Sequence, residues 1–254
     1  MSRDERHSTI DALRPAGQVA FGPGEYVEQE SFVRASELLV LAERARLGPG
    51  VSVLDLCCGI AGPGRFLTRA FGCAYLGVDS SESAVAVAAE RAGGLPCRFE
   101  VGEVPPLPPG PFETVLLLET MLAFRAKEAL LAEIARVLPA GGRFVFTLEE
   151  GAPLTASERA RMPAADTVWL TPLDEMHALL AQAGLAVRWE EDWSESHREA
   201  AAALADAYAA DSTAIASQIG RPALDELLAG HRLWAEWLEA GRVRKFGLVA
   251  ERPG

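Results

Sequence analysis

Three carboxylates and a group of glycines form the part of the sequence best suited to bind a ligand. Asp55 ends an apolar run, and a glycine-rich stretch with Gly59 and Gly62 follows at once. Glycine has no Cβ, so backbone N–H groups in such a turn can approach a ligand closely. Asp79 ends the next apolar run, where a carboxylate can grip ribose hydroxyls, and Glu103 follows the third run. The set predicts a site for a nucleoside-bearing cofactor.

Each carboxylate has a predicted partner on that cofactor. Asp55 can attract the ammonium group of an amino-acid-bearing ligand, and Glu103 can accept a hydrogen bond from an adenine amino group. A turn cap for Asp55 and a solvated loop position for Glu103 are the alternatives. The neighbouring residues predicted to share the cofactor site are Cys57, Ser80 and Val104.

Glu119 is the candidate catalytic residue, because it ends the apolar run Leu116–Leu118. Burying an unpaired carboxylate is costly, so Glu119 is either functional or part of a structural ion pair. We predict that it acts as a general base. Glu149 ends a later apolar run and is a second candidate catalytic residue, predicted to face an acceptor pocket. A solvated charge is the alternative.

Aromatic residues and histidines in and beyond this region predict an apolar acceptor pocket. Trp234 and Trp237 share one face of a helical pattern, for which core packing is the alternative. His197 and His231 are candidate acceptor contacts, or else structural histidines. The residues predicted to bind the acceptor are Met121, Phe124, Trp169, His197 and Trp234.

The elements that must position these residues alternate between strand and helix patterns, which predicts a doubly wound, mostly parallel α/β sheet. Predicted strands cover residues 51–57, 73–79, 97–102, 112–119, 142–149, 185–193 and 243–250. Predicted helices cover residues 64–71, 81–92, 126–138, 173–183, 196–218 and 222–240, and a helical pattern also runs within 25–47. We expect a flexible segment over 1–24, frayed over 1–20, and a single domain over 25–254. An N-terminal lid at 25–47 and a helical insertion at 194–241 would cover its ligands.

Composition limits the class of partner. The net charge of −12 argues against a nucleic-acid backbone as substrate. No apolar run is long enough for a membrane span, and residues 1–10 lack a signal-peptide core, so we expect a cytoplasmic protein. The four cysteines show no metal-ligand spacing, and we predict no metal site. The oligomeric state stays open.

The arrangement resembles class I S-adenosylmethionine-dependent methyltransferases. The resemblance is carried by Val-Leu-Asp55-Leu-Cys-Cys-Gly59-Ile-Ala-Gly62, Leu-Gly-Val-Asp79, Val-Gly-Glu103-Val-Pro-Pro-Leu-Pro and Leu138-Pro-Ala-Gly-Gly142. It is close over residues 25–150 and looser over 171–193. The turn looks most like the small-molecule branch, which includes the tocopherol, geranyl diphosphate and sarcosine methyltransferases. A dinucleotide-binding dehydrogenase is the main alternative, but its glycine spacing is not clean here.

This resemblance implies a fold, a cofactor and further roles. It implies a seven-stranded sheet whose last strand is antiparallel, with S-adenosylmethionine as cofactor and S-adenosylhomocysteine as product. Tyr26, a further candidate catalytic residue, would contact the methionine end of the cofactor from the N-terminal segment, with Gln29 beside it. A plain packing role is the alternative for Tyr26. An acidic residue followed by Thr-Met acts as base in the geranyl diphosphate enzymes, which makes carbon methylation with Glu119 conceivable here. The turn departs from the family pattern at Cys57 and Ala61, which replace glycines, and at Glu103, which replaces aspartate.

Together these features predict a methyltransferase for a small organic acceptor. High Ala, Arg and Gly usage suggests a bacterial chain from a high-GC genome, and from there specialised metabolism. Two other classes stay open, namely an enzyme of the same fold with other chemistry, such as a cyclase, and a non-catalytic cofactor-binding module.

Overall fold

The computed structural model describes the backbone of residues 3–254, and the side chains of residue 5 and residues 8–254. A seven-stranded sheet forms its centre, with strand order β3-β2-β1-β4-β5-β7-β6. The strands are β1 (Ser52–Leu56), β2 (Ala74–Asp79), β3 (Cys97–Val101), β4 (Thr114–Leu117), β5 (Arg143–Glu150), β6 (Ala186–Asp192) and β7 (Arg244–Glu251). β7 pairs antiparallel with both neighbours, and the other pairs are parallel. The predicted α/β sheet with one antiparallel strand is confirmed.

Helices cover both faces of this sheet and one end of it. They are α1 (Arg3–Phe21), α2 (Ala35–Arg44), α3 (Gly62–Phe71), α4 (Glu82–Arg91), α5 (Lys127–Val137), α6 (Ala156–Arg161), α7 (Leu173–Gln182), α8 (Ser194–Ala210), α9 (Ser212–Ile219) and α10 (Arg221–Glu239). Short 3-10 turns occur at Met121–Ala123 and Ala165–Thr167. None of the helices in the described part of the chain combines the length and apolar content needed to cross a membrane.

The alternation of side chains along β1 explains why both faces of the sheet are buried. Leu54 and Leu56 belong to the core formed with α5 and α7, whereas Val53 packs into the core formed with α2 and α3. Successive residues of a strand point to opposite faces, so an apolar run such as this one fills two cores at once. The order reverses between β1 and β4, and ligands of open α/β sheets bind at such a point.

The expectation of a frayed segment over 1–20 is wrong for the described residues 3–21, which form α1. Ile10 is buried beside Ile60 and two apolar residues of α4, whereas Ala16 and Phe21 pack with α8, α9 and α10. Pro15 lies inside the helix, and the mean hydropathy of α1 is low. Tertiary burial therefore orders a segment whose own sequence pattern is weak.

The helical insertion between β6 and β7 consists of three helices, where the sequence pattern predicted two. Asp211 lies between α8 and α9 and ends the helical run that was expected to continue to residue 218. Gly220, with φ of 86°, separates α9 from α10. The helices α1, α8, α9 and α10 share one apolar cluster, so the N-terminal helix joins the insertion as part of the same cover.

Candidate functional site

The turn between β1 and α3 begins beside a buried carboxylate. Asp55 is 4% exposed, and its Oδ2 accepts a hydrogen bond of 2.6 Å from the hydroxyl of Tyr75. Burial raises the pKa of Asp55 to about 7, with the Tyr75 hydrogen bond opposing the shift and the nearby Asp79 adding to it. A buried carboxylate in this state would be stabilised as an anion by a cationic ligand group.

The two residues that replace glycines keep the backbone conformation that glycine would supply. Cys57 has φ of 58° and Ala61 has φ of 55°, both in the left-handed region. Gly62 follows, and a Cβ there would lie 2.3 Å from the carbonyl oxygen of Glu28. The turn therefore forms with Cys and Ala in strained positions, and only glycine fits at residue 62 because the backbone of the N-terminal segment presses against it.

Asp79 fastens the turn to β2. Its Oδ2 accepts a hydrogen bond of 2.9 Å from the N–H of Gly59, and its Oδ1 accepts one of 2.8 Å from the N–H of Ser81. Burial raises the pKa of the Cys57 thiol to about 12, and Asp79, Asp55 and Glu103 raise it further. The three predicted carboxylates thus act on one turn, and the thiol stays neutral.

Two other predicted cofactor residues lie at the edge of this arrangement. Ser80 is exposed directly after β2. Glu103 is exposed after β3, and the partly buried Val104 beside it packs against the core. Their positions follow the strand ends, as the sequence pattern predicted.

A cavity of about 210 Å³ opens at this turn, and we call it the turn cavity. Its lining includes Asp55, Cys57, Gly59, Gly62 and Thr120. Four of these residues come from one stretch of 8 positions, residues 55–62, and Thr120 follows β4. The turn cavity therefore lies between the ends of β1 and β4, at the point where the strand order reverses.

A larger cavity of about 640 Å³ lies beneath the helical insertion, and we call it the helical cavity. Its apolar lining includes Phe32, Leu122, Val168, Trp234, Leu238 and Val243. Its polar lining includes Glu119, Glu149, His197, His231 and Lys245. A cavity of this size, mostly apolar with a few polar groups, is typical of a site for a small organic molecule.

The two cavities meet at three shared residues. Glu30, Ser31 and Glu119 each line both the turn cavity and the helical cavity. Glu30 and Ser31 belong to the N-terminal segment, and Glu119 follows β4. The two cavities are therefore adjacent, with the carboxylate of Glu119 in the lining of both.

Glu119 belongs to a buried ionic cluster centred on Lys245. The ammonium of Lys245 lies 2.6 Å from Oε1 of Glu119, and it also donates a hydrogen bond to Oε1 of Glu149. Glu149 and Lys245 are directly opposite each other in the β5–β7 register. The Oε2 of Glu149 is buried with no hydrogen-bond partner among the residues that the structure describes. One ammonium therefore holds two carboxylates, and the second of them keeps an unpaired oxygen.

This cluster moves the pKa values of its members in different directions. Burial raises the pKa of Glu149, and the adjacent Glu119 adds to the rise, although Lys245 opposes it. Burial also acts to raise the pKa of Glu119, but attraction to Lys245 and His197 leaves it below its usual value. Burial acts to lower the pKa of Lys245, but the two carboxylates leave it raised. Glu119 and Lys245 thus form an ion pair, and Glu149 is the carboxyl that takes up a proton more easily.

The backbone at Glu119 is strained. Its φ of 61° is in the left-handed region, which a non-glycine residue rarely adopts, and its N–H donates a hydrogen bond of 2.6 Å to Oγ1 of the buried Thr147. Such strain costs about 1–3 kcal/mol and occurs preferentially at functional sites. In this strained conformation the carboxylate of Glu119 lines both cavities.

His197 connects the cluster to the helical insertion. It is 1% exposed, its Nε2 lies 3.2 Å from Oε2 of Glu37, and its Nδ1 lies 3.8 Å from Oε2 of Glu119. Its ring stacks on Trp193, at 6.3 Å between centroids and an interplanar angle of 11°. A Cβ at Gly247 would lie 2.5 Å from the Trp193 ring, so β7 needs glycine there to admit this stack.

Two predicted cofactor residues, Tyr26 and Gln29, do not line either cavity. Tyr26 packs against Phe21, at 6.0 Å between ring centroids, and burial raises its pKa to about 12. The amide of Gln29 is engaged with backbone, since it accepts from Val27 N–H and donates to the carbonyls of Glu25 and Val33. Both side chains stabilise the N-terminal segment, and the neighbouring Glu30 and Ser31 reach the cavities.

The predicted acceptor residues divide in a similar way. His197 and Trp234 line the helical cavity, but Met121, Phe124 and Trp169 do not. Met121 is fully buried in the core, and Phe124 packs against it. Leu122, which follows Met121, and Val168, which precedes Trp169, line the cavity instead, so two of these three predictions differ from the lining by one position.

Trp169 occupies a different environment. The guanidinium groups of Arg125 and Arg159 both lie over its ring, with their Cζ atoms 4.9 and 4.8 Å from the ring centroid. Lys127 donates a hydrogen bond of 2.9 Å to its carbonyl. These contacts fix Trp169 in the loop that precedes α7.

Sequence reasoning missed several site residues. Lys245 lies beside Arg244 in a strand, and without the register nothing distinguishes the buried cation from the exposed one. Glu30 and Ser31 lie in a segment without regular structure. Thr147 is a polar residue within an apolar strand, which is a signal that could have been used.

Comparison with known proteins finds similarity to methyltransferases. Residues 53–142 match a family model described as a methyltransferase domain. The chain is 29% identical over 214 residues to a methyltransferase, GfsG, of Streptomyces halstedii. The aligned region covers 79% of this chain and 70% of that protein. It is 32% identical over 119 residues to phosphoethanolamine N-methyltransferase 1 of Arabidopsis thaliana, which covers 45% of the chain. The chain spans only 24% of the length of that plant relative.

The fold matches that of a solved structure with ligands. Phosphoethanolamine N-methyltransferase 2 of Haemonchus contortus, in complex with phosphomonomethylethanolamine and S-adenosylhomocysteine, superposes with a TM-score of 0.80 at 20% identity. The match covers 94% of this chain and 57% of the Haemonchus chain. At this identity the likeness concerns the fold.

Proposed function

We propose that this chain, whose residues 53–142 form an S-adenosylmethionine-dependent methyltransferase domain, transfers a methyl group to a small organic acceptor. The acceptor would bind in the helical cavity and the cofactor would reach it from the turn cavity. The observation that carries the proposal is the shared wall of Glu30, Ser31 and Glu119 between the two cavities. Methyl transfer needs donor and acceptor atoms in line and in contact, and a shared wall allows this.

The donor set of the turn cavity fits S-adenosylmethionine. Asp55 offers a buried carboxylate to the ammonium of the methionine part, and the turn with Gly59 and Gly62 leaves room for the cofactor backbone. Beside this cavity, Asp79 at the end of β2 would hold the ribose hydroxyls, and Glu103 would accept a hydrogen bond from the adenine amino group. When bound, the cofactor supplies a methyl group on a sulfonium, so the acceptor lone pair forms the new bond while the carbon–sulfur electron pair stays on sulfur.

Glu119 would act as the general base for an acceptor that must lose a proton. It lines both cavities, and its strained backbone fixes it at the point of transfer. Lys245 would hold its carboxylate in place, and Glu149 would receive or share the proton within the cluster. His197 would support Glu119 from the side of the insertion. The proton leaves the acceptor atom and passes to a carboxylate, so the charges balance.

The proposal also includes the atom that is methylated and the kind of metabolism to which the acceptor belongs. Carbon methylation with Glu119 as base follows from the resemblance to the geranyl diphosphate enzymes, and the atom that carries the methyl group in the product tests it. A role in specialised metabolism rests on composition and on the similarity to GfsG. It would be tested by the identity of the natural acceptor.

Incubation of the protein with S-adenosylmethionine labelled in its methyl group, together with a metabolite extract, tests the proposed function. We expect a labelled small-molecule product together with S-adenosylhomocysteine. A product formed without label would indicate other chemistry on the same fold. Tight cofactor binding with no product from any extract would indicate a binding module.

A further inference from the structure

The charges that line the helical cavity carry information about the acceptor. Four glutamates and one lysine belong to the described part of this lining. The lysine, Lys245, is already held by Glu119 and Glu149, both within ion-pair distance. The cation therefore has little capacity left for an anionic ligand, because its charge is matched by two carboxylates.

The histidines of the lining do not reverse this balance. The two ring nitrogens of His197 lie beside Glu37 and Glu119, so a proton on His197 would be matched by those carboxylates. His231 is buried, which lowers its pKa, and its Nδ1 lies 2.6 Å from the carbonyl oxygen of Leu227. At neutral pH this histidine adds no positive charge.

An anionic acceptor would therefore meet repulsion where it needs a counter-ion. A phosphate monoester carries a charge of about −1.5 to −2 at neutral pH. Moving it next to Glu119 and Glu149 is unfavourable, because the described residues of the lining include no lysine or arginine other than Lys245. The apolar part of the lining includes Phe32, Leu122 and Trp234, which suits an organic body but not a charged one.

We propose that the acceptor is a mostly apolar molecule without an anionic group, and that the helical cavity rejects phosphate esters. The inference rests on the proposed function, since it specifies the acceptor of the same site. It separates this chain from the similar proteins named for phosphoethanolamine, to one of which the chain is 32% identical over 119 residues. The nucleophile is a neutral oxygen, nitrogen or carbon centre whose proton goes to a carboxylate of the cluster.

Calorimetric binding to the full chain in complex with S-adenosylhomocysteine tests this inference. The probes share one apolar body and differ in the head group: biphenylmethanol, biphenylmethylamine and biphenylmethyl phosphate. We expect the alcohol and the amine to bind at least roughly tenfold more tightly than the phosphate, a difference of about 1.4 kcal/mol or more. Equal or tighter binding of the phosphate would overturn the inference, and so would the absence of binding by all three probes.

A substitution in the ionic cluster shows whether the negative charge of its carboxylates causes the preference for the alcohol over the phosphate. Glu149→Gln removes one negative charge beside Lys245, and we expect it to narrow the difference between alcohol and phosphate severalfold. Glu150→Gln is the matched control, because Glu150 is the next residue on β5, pairs with the exposed Arg244 and does not line the cavity. If Glu149→Gln and Glu150→Gln narrowed the affinity difference equally, the charges that line the cavity would not be its cause.

A separate measurement distinguishes failure of the proposed function from failure of the inference about the acceptor. S-adenosylhomocysteine binding is measured before any probe is added, and its absence would count against the proposed function. If S-adenosylhomocysteine binds and the phosphate probe then binds most tightly, only the inference about the acceptor fails.

Discussion

The turn cavity and the helical cavity are built in different ways. Most of the turn cavity comes from residues 55–63 and from the segments 28–31 and 118–120. The helical cavity draws on α1, α8, α9 and α10, on the loop before α7 and on β5 and β7. A site whose largest part comes from one strand–turn–helix unit is encoded mostly by a local stretch of sequence, whereas a site formed by many distant elements depends on how the whole chain packs.

The two cavities also treat their carboxylates differently. In the turn cavity, burial raises the pKa of Asp55 to about 7, and its hydrogen-bond partner is the neutral Tyr75. In the helical cavity, Glu119 and Glu149 share the ammonium of Lys245. The first cavity is thus suited to a cationic group from the ligand, and the second carries its own cation.

The largest expected effect concerns the wall between the cavities. Glu119→Gln should lower turnover by about a hundredfold to ten-thousandfold, because a general base contributes that much to a proton-transfer step. The affinity for S-adenosylhomocysteine should change less than about threefold, since the turn cavity keeps its other groups. Steady-state kinetics and calorimetry measure the two quantities, with Glu150→Gln as control. Equal turnover in Glu119→Gln and the unchanged protein would exclude the role as base.

The second effect concerns stability, and it compares neighbouring cations on β7. Lys245→Met leaves Glu119 and Glu149 buried without their cation and should lower the free energy of unfolding by about 3–5 kcal/mol. Arg244→Met removes a surface pair with Glu150 and should cost about 0–1 kcal/mol. Denaturant unfolding measures both. If the two variants lost the same stability, Lys245 would not be the centre of a buried cluster.

This pair also shows where prediction from sequence ends. The strand carrying Lys245 was predicted within one residue, but only the register of β7 against β5 places Lys245 opposite Glu149. Because side chains alternate along a strand, a shift of one residue would bury Arg244 instead. The ion pair therefore follows from tertiary structure and could not be read from either strand alone.

The lining of the turn cavity was predicted more completely than that of the helical cavity. Asp55, Cys57, Gly59 and Gly62 line the turn cavity, and Asp79 fastens its turn, because local strand ends and glycines determine these positions. The helix α1 was missed, since its burial depends on contacts with α4 and α8 that its own weak pattern does not indicate.

The third effect concerns the raised pKa of Asp55 in the turn cavity and the pH dependence that follows from it. Asp55 has a raised pKa in the folded protein, so its contribution to stability is present at low pH and is lost as the pH rises through about 7. A bound ammonium favours the charged carboxylate, so binding releases a proton. Affinity for S-adenosylhomocysteine should rise with pH up to about 7, by at most about tenfold per pH unit, and then level off.

Calorimetry across this pH range tests the third effect, with Asp55→Asn as the comparison. The variant should bind more weakly and lose this rise with pH. A pH dependence that survives in Asp55→Asn would assign the titration to another group.

The smallest effect concerns the strained turn. Cys57→Gly relieves a left-handed φ but adds backbone freedom to the unfolded chain, and the two terms oppose each other at about 1 kcal/mol each. The free energy of unfolding should change by less than about 1 kcal/mol, with cofactor affinity retained. Gly62→Ala should lower both, because its Cβ would lie 2.3 Å from the Glu28 carbonyl oxygen. A loss of cofactor affinity in Cys57→Gly would give the thiol a role in binding that the geometry does not require.

The position of the cofactor sulfur in a crystal structure with S-adenosylhomocysteine tests the central claim most directly. The claim is that the turn cavity holds the cofactor and delivers the methyl group past Glu119 into the helical cavity. We predict that the sulfur lies at the shared wall beside Glu30, Ser31 and Glu119, with the ammonium group at Asp55. A sulfur facing away from the helical cavity, or an S-adenosylhomocysteine molecule bound outside the turn cavity, would contradict the account.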